Sequence, residues 1–472
     1  MTDKSFSARP LLGALAVAVL AGCSMIPAYE RPAAPVAGDW PTGLSGGSVA
    51  VADATPTADL RWADFVGDAQ LRELIALALQ NNRDLRIATL NIEQVRAQYQ
   101  IRQADQLPTL SAAAAGNRQP ASGGGISSSY SVGLAMSSWE IDFFGRIASL
   151  KEAALAQYLA SEEARHAAQT SLVAAVASTW LSLQANDELL AITQRTQVTR
   201  QDSLRLTRLR FDNGASSALD LRQAESLAAA AQVALAQQQR QRSLDLNALT
   251  LLVGQPLPSA LVAPRADAEG RMAQPLFREV PAGLPSDLLT RRADIRQAEQ
   301  QLISANASIG AARAAFFPRI ALTASVGTAS NDLSNLFQSG SWGFTLAPQA
   351  LLPIFDAGRN RAGLDSAQAT RSVAVAQYEK AIQTAFREVA DALAGRATLG
   401  EQLQAQEAQA AAEAERFRLA ELRYRNGIAS FLDVLDAQRS LFTVQQALTQ
   451  TRLAQQQNQV ALYKALGGGW GG

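Results

Sequence analysis

Few side chains in this chain could do chemistry. His166 is its only histidine and Cys23 its only cysteine, so the Cys/His clusters that hold a metal and the nucleophile constellations of covalent catalysis have nothing to assemble from. The conspicuous carboxylates occur in a structural setting. Ser217 precedes Asp220 and Ser430 precedes Asp433 at the Ser-x-x-Asp spacing in which serine and acid side chains each bond the other's backbone N–H at a helix start. Asp436, one turn further on, has no such serine. The expectation is therefore no enzyme, no cofactor and no metal site. With 42 basic and 42 acidic groups the formal net charge is zero, which offers no basic nucleic-acid surface.

The capped acids follow two turns that repeat each other. Leu209-Arg210-Phe211-Asp212-Asn213-Gly214 recurs as Leu422-Arg423-Tyr424-Arg425-Asn426-Gly427, 213 positions later. Gly145-Arg146 returns as Gly358-Arg359 at the same offset, and Asn82-Arg83-Asp84-Leu85-Arg86 resembles Arg292-Ala293-Asp294-Ile295-Arg296 at 210. Several ordered matches near one offset indicate an internal duplication, with a first repeat over 61–265 and a second over 266–472.

Helices must carry these turns. Leu74, Ala78, Asn81, Leu85, Ala88, Ile92, Val95 and Tyr99 step by four and three without interruption, and similar seams follow Leu221, Val375 and Val434. Residues 146–210 contain no proline, so a helix there could run about 65 residues, or roughly 100 Å at 1.5 Å per residue. The stretch 359–425 is alike.

Four short segments change to a period of two. Strands are expected near 110–116, 128–139, 320–328 and 341–351, arranged as two hairpins, with large apolar residues such as Tyr130, Val132, Leu134 and Met136 alternating with small or polar ones. The pattern suits lipid on one face and water on the other. Four strands cannot close a barrel, whose minimum is about eight, so copies of the chain must combine. Two would supply eight strands and three would supply twelve.

The N-terminus reads as an address. Lys4 and Arg9 precede the apolar run Leu11–Ala21, too short for a membrane span. Leu20-Ala21-Gly22-Cys23 resembles a bacterial lipoprotein signal, which implies a signal peptide over 1–22, lipidation of Cys23 and a lipidated leader over 23–60. Ser24 resembles the outer-membrane sorting pattern.

The chain resembles the outer membrane factors, the TolC-like export channels, in their lipid-modified OprM or NodT-type branch. The resemblance rests on the Cys23 anchor, Leu288 through Ile295 with Ala298-Glu299, Phe316-Phe317-Pro318, Leu352 through Arg359, and Tyr424 through Gly427 running into Leu432-Asp433-Val434-Leu435-Asp436-Ala437. It implies a mainly α protein with a membrane β-barrel: a homotrimer whose twelve-stranded barrel continues into a long α-helical periplasmic barrel. Function would be that of an outer-membrane exit channel, fed by a periplasmic adaptor and an inner-membrane resistance-nodulation-division pump, passing drugs or other small amphipaths. A protein-secretion or metal-ion exit duct, or a non-conducting envelope scaffold, are the rival readings. The family's docking tips correspond to Phe211, Asn213, Gly214, Tyr424, Asn426 and Gly427. Its charged entrance corresponds to Asp433 and Asp436, with Asp220 equivalent to Asp433 across the repeat and Gln223 standing where a second acid would be. Ala429 occupies the place of a TolC arginine that ties the closed tip, which leaves Arg425 and Arg439 as gate contacts.

Overall fold

A computed structural model describes residues 24–38, 40, 59–120, 123–263, 276–281 and 285–469. The chain divides into two compact units. One gathers Met1–Ala33, Leu90–Glu162 and Gln297–Lys380, and the other Ala34–Thr89, Glu163–Arg296 and Ala381–Gly472. In chain order the helices are α1 Trp62–Phe65, α2 Ala69–Asn81, α3 Arg83–Ala104, α4 Arg146–Asp212, α5 Ala218–Val253, α6 Ser259–Val262, α7 Pro285–Arg291, α8 Ala293–Ala314, α9 Arg359–Arg425 and α10 Phe431–Ala465. Strands β1 Leu110–Pro120 and β2 Ile126–Ile141 precede α4, and β3 Arg319–Ser330 and β4 Trp342–Leu351 precede α9. Helices α4 and α9 each have 67 residues. None of the described helices is long and apolar enough to cross a membrane.

Among the described residues the first unit holds one antiparallel sheet in the order β1-β2-β3-β4. The two expected hairpins are joined by β2–β3 pairing, which alternation within each strand does not reveal. Its register places Leu134 opposite Val326 and Gly133 opposite Gly327, and Val326 in turn faces Phe344 on β4. Residues directly opposite share a face. Val132, Leu134, Val326, Trp342, Phe344 and Leu346 thus form one apolar face, and all are exposed. The other face carries Ser131, Gly133, Ser325, Gly327, Gly343 and Thr345. Gly133 and Gly327 let the central strands approach: a Cβ on Gly133 would lie 2.3 Å from the Val326 carbonyl oxygen, and one on Gly327 the same distance from that of Val132. The outer edges of β1 and β4 have no strand partner among the described residues.

In the same unit the leader runs along α8. Arg313 Nη1 donates to the Met25 carbonyl, and Asn306 Nδ2 donates to that of Pro27 at 2.8 Å. Arg31 grips Glu299 through both carboxylate oxygens at 2.7 and 2.9 Å, and the Tyr29 hydroxyl donates to the same group. Residues 25 to 31 therefore descend α8 from Arg313 to Glu299. Cys23 lies outside the described residues.

The second unit packs around Phe65, whose ring stacks on Tyr463 at 3.9 Å and on Phe277 at 5.0 Å, and Leu71, Leu74, Ile75 and Trp180 are fully buried in the same unit. The heptad from Leu74 to Tyr99 is not one helix. Asn82 leaves the helical conformation with φ −61° and ψ 131°. Its Oδ1 accepts from Leu85 N–H to start α3, and its Nδ2 donates to the Leu252 carbonyl at the end of α5, both at 2.9 Å. One non-helical residue leaves the hydrophobic period intact on either side, so the break is silent in the pattern. Arg292 interrupts α7 and α8 in the equivalent way: its Nη1 donates to the Ala465 carbonyl at the end of α10, while the rest of the guanidinium pairs with Asp294 and Glu388. Each break thus ties down the last carbonyls of a long helix, groups that otherwise lack partners.

Candidate channel entrance and docking tips

The two repeated turns are near copies in backbone. In the first, Gly214 takes φ +70° and donates to the Phe211 carbonyl, Ala215 donates to Arg210, and the Asn213 side chain donates to Leu209. In the second, Gly427 takes φ +73° and donates to Tyr424, Ile428 donates to Arg423, and the Asn426 side chain donates to Leu422. Nothing lies within 4 Å of a Cβ built on either glycine. Glycine is favoured there by its backbone conformation, which ends the helix with its carbonyls satisfied. Phe211 is 39 % and Ile428 69 % exposed, so each turn presents apolar side chains to its surroundings.

Both outgoing helices begin with a complete capping box. Ser217 Oγ accepts from the Asp220 N–H and the Asp220 carboxylate accepts from the Ser217 N–H; Ser430 and Asp433 repeat the exchange. The Ser217 side chain and backbone bonds hold the Asp220 carboxyl below its ordinary range. Asp433 therefore serves as a helix cap whatever else it does. Asp436 differs: its Oδ2 accepts from Arg416 Nη2 at 2.6 Å, and its Oδ1 from Arg439 Nη2 at 2.5 Å. The bond to Arg416 is the main reason its carboxyl is held low. Arg416 also donates to Glu413 and to Ser440 Oγ. Asp436 and Arg439, with Leu432 and Leu435 of the same helix, line a cleft of about 210 Å³ whose other wall is Gln223 and Leu227 of α5.

The two arginines near the second turn differ in partner. Arg439 reaches Asp436, but Arg425 pairs with Glu421 one turn back on its own helix at 2.6 Å. Two further residues tie this end together. Arg416 lies eleven residues before Gly427 and Asp436 nine after it, so pairing the two helices antiparallel about the turn would have brought them together. Arg210 donates to the Tyr424 hydroxyl and lies 4.9 Å from its ring centroid, joining one turn to the other. That contact links positions in different repeats and has no short-range signal. His166 sits in α4 with Nδ1 3.5 Å from Glu163 Oε2, and Glu163 also pairs with Arg296. No group of three or more potential metal ligands occurs among the described residues.

The chain matches the family described as "Outer membrane efflux protein" over residues 74–255 and 284–468. It is 48 % identical over 459 residues to the toluene efflux pump outer membrane protein TtgC of Pseudomonas putida, covering 96 % of this chain and 94 % of the relative. With outer membrane protein OprJ of Pseudomonas aeruginosa it shares 46 % identity over 477 residues, covering 100 % and 97 %. Among solved structures, the open state of the Neisseria gonorrhoeae MtrE outer membrane channel superposes with a TM-score of 0.85 at 41 % identity, covering 95 % of this chain and 99 % of that one.

Proposed function

Because the chain belongs to the outer membrane efflux protein family, we propose that it is the exit channel of a tripartite efflux system, passing small amphipathic solutes from a periplasmic adaptor and an inner-membrane pump across the outer membrane. The carrying observation is the sheet: four strands, one exposed apolar face, one face of small and polar residues, and two unpaired edges. In lipid an open edge leaves backbone groups unbonded at several kcal/mol each. Copies of the chain remove that cost by pairing β4 of one with β1 of the next. Three copies make a twelve-stranded wall with the small-residue face toward a wet lumen.

The remaining features have places in this reading. The leader along α8 holds Ser24, next to Cys23, at the sheet end of the helix, where acyl chains on Cys23 would enter the bilayer. The turns at Gly214 and Gly427 present apolar and polar side chains to the adaptor. Asp436 and Asp433 charge the entrance, threefold in a trimer, with Asp220 and Gln223 in the second set of positions. The cargo class follows the relatives' names, which include toluene and antibiotic efflux. No bond-making step is required, and the protein is not an enzyme.

The test is accumulation of a fluorescent amphipath in cells lacking the gene. Accumulation should rise, return to the parental level with the intact gene, and stay high when the gene is restored in cells lacking the inner-membrane pump. Accumulation that ignores the gene while trimers are present in the membrane would contradict the reading.

A further inference from the structure

Where the sheet of the first unit runs into α4 and α9, a cleft of about 460 Å³ opens whose charged lining is Glu140, Asp142, Arg146, Arg319, Asp356 and Arg359. Glu140 reaches it only because β2 is irregular. From Tyr130 to Met136 the even-numbered residues lie on the apolar face, and continuing that alternation would put the Glu140 carboxylate there too, toward lipid. Between Met136 and Trp139 the register slips by one residue, with Ser138 at φ +46° and its N–H on Thr323 Oγ1 at 3.2 Å. Such a bulge reverses the faces of the residues after it. Trp139 and Ile141 therefore join the apolar face, and Glu140, opposite Ala321, turns to the small-residue face that also carries Arg319.

On that face Glu140 collects two arginines. Arg146 gives it Nε and Nη2 at 2.8 and 2.7 Å, and Arg319 gives it Nε at 2.6 Å. The other two acids are engaged as well: Asp142 accepts from the Ala148 N–H at the start of α4, and Asp356 from the Gly358 and Asn360 N–H groups at the start of α9. The arginines keep bonds in reserve. Arg146 Nη1, both Nη atoms of Arg319 and the whole Arg359 side chain have no hydrogen-bond partner among the described residues. The six formal charges sum to zero, so the sign of a ligand is decided by which groups still have bonds to give, and those are guanidinium donors. The remaining wall is apolar. Phe143 and Phe317 are 37 % and 40 % exposed, and Phe317 stacks on Phe144 at 4.8 Å.

Guanidinium donors beside aromatic rings, in a volume typical of small-molecule sites, suit one kind of ligand. We infer that this cleft is a cargo subsite for anionic amphipaths, taking a carboxylate, sulfonate or sulfate head on the reserve guanidinium donors and the apolar body against Phe143 and Phe317. The inference rests on the channel reading above and names one class of its cargo. The face that carries Glu140 and Arg319 is the one that reading turns to the lumen, so the ligand arrives from the channel and not from the bilayer.

The test compares two probes that share a ring skeleton, anilinonaphthalene sulfonate and its uncharged parent phenylnaphthylamine. Each is titrated into the full-length protein in phosphatidylcholine nanodiscs, with empty nanodiscs subtracted. Arg319→Gln should weaken the sulfonate about tenfold, the loss of one charge-assisted hydrogen bond, and leave the uncharged probe unchanged. Arg319→Lys, which keeps a cation, should recover most of the loss. Glu140 retains both bonds from Arg146 in either variant. Should Arg319→Gln nevertheless fail to assemble, Arg359→Gln, which breaks no side-chain hydrogen bond, must weaken the sulfonate alone. Equal weakening of both probes, or of neither, would overturn the subsite. Displacement of the sulfonate by phosphatidylglycerol added to the nanodiscs would overturn its lumenal source in favour of a bilayer lipid. Conductance in planar bilayers separates these results from the channel reading: protein that conducts but treats the two probes alike fails only the subsite, whereas protein that selects the sulfonate yet never conducts fails the channel reading and with it the assignment of the ligand as cargo.

Discussion

Arg416 on α9 and Asp436 on α10 meet at 2.6 Å across the second hairpin, and the same carboxylate takes Arg439 on its other oxygen. The acid that would charge the entrance is thus also the group that holds the hairpin's two helices together. In the proposed channel, charge selectivity and closure would share this side chain.

Breaking that tie should loosen the entrance. Arg416→Ala is expected to raise the open probability of reconstituted channels about two- to five-fold at neutral pH, the range of an exposed ion pair, with Asp436→Asn similar in direction. Acid should do the same to wild type. The folded-state pKa of Asp436 is depressed below its ordinary 3.8 by Arg416, so the stabilising pair is complete above that value and is lost only as pH falls through the lower folded-state pKa. Openings recorded from pH 7 to pH 4 should stay level and then climb below it. A climb centred near pH 6 would point to another group.

The buried arginine at the second helix break predicts a larger effect, on stability. Arg292 is 5 % exposed and serves Asp294, Glu388 and the Ala465 carbonyl together. Burial alone would raise the Asp294 carboxyl, but Arg292 more than offsets it and the net direction is down. Arg292→Ala leaves two partly exposed acids and a helix-terminal carbonyl without their donor, at a cost of about 1–3 kcal/mol. Thermal unfolding followed by circular dichroism should show a clearly lowered midpoint, and a midpoint within a degree of wild type would refute the assigned role.

Sheet formation has its own test. Gly133→Ala places a Cβ 2.3 Å from the Val326 oxygen and 2.7 Å from the Gly327 Cα, both backbone, so β2 and β3 must separate. Gly343→Ala in the same sheet meets nothing within 4 Å. The first variant should fail to give detergent-resistant oligomers and the second should give them at wild-type yield. Equal yields would mean that the β2–β3 pairing is not needed for assembly.

Glu299 predicts the behaviour of the leader. Glu299→Gln removes the charge that Arg31 grips through two oxygens, so cleavage after Glu30 by a glutamate-specific protease should become several-fold faster. Unchanged protection would show that the Asn306 and Arg313 contacts suffice.

The sequence was most legible where a residue type answers a local geometric demand. Gly214 and Gly427 announce left-handed turns, the Ser-x-x-Asp pairs announce helix starts, and alternation in 128–139 assigns each strand its faces. It was silent where the partner is remote. Nothing near Gly133 tells of Gly327, nothing in a continuous heptad marks Asn82 as a break, and Arg416 and Arg210 are unremarkable until helices are laid side by side. Asp433 shows the converse difficulty: one motif supports both a cap and a charged entrance, and the structure displays the cap.

The central claim is that the chain completes its membrane wall only with copies of itself. The most direct measurement is electron cryomicroscopy of the full-length protein in lipid nanodiscs. The account predicts three copies, twelve strands closed by β4 of each chain against β1 of the next, and Leu134, Val326 and Phe344 in contact with lipid. A single copy with both sheet edges free, or an assembly in which that apolar face packs against protein and the small-residue face meets lipid, would contradict it.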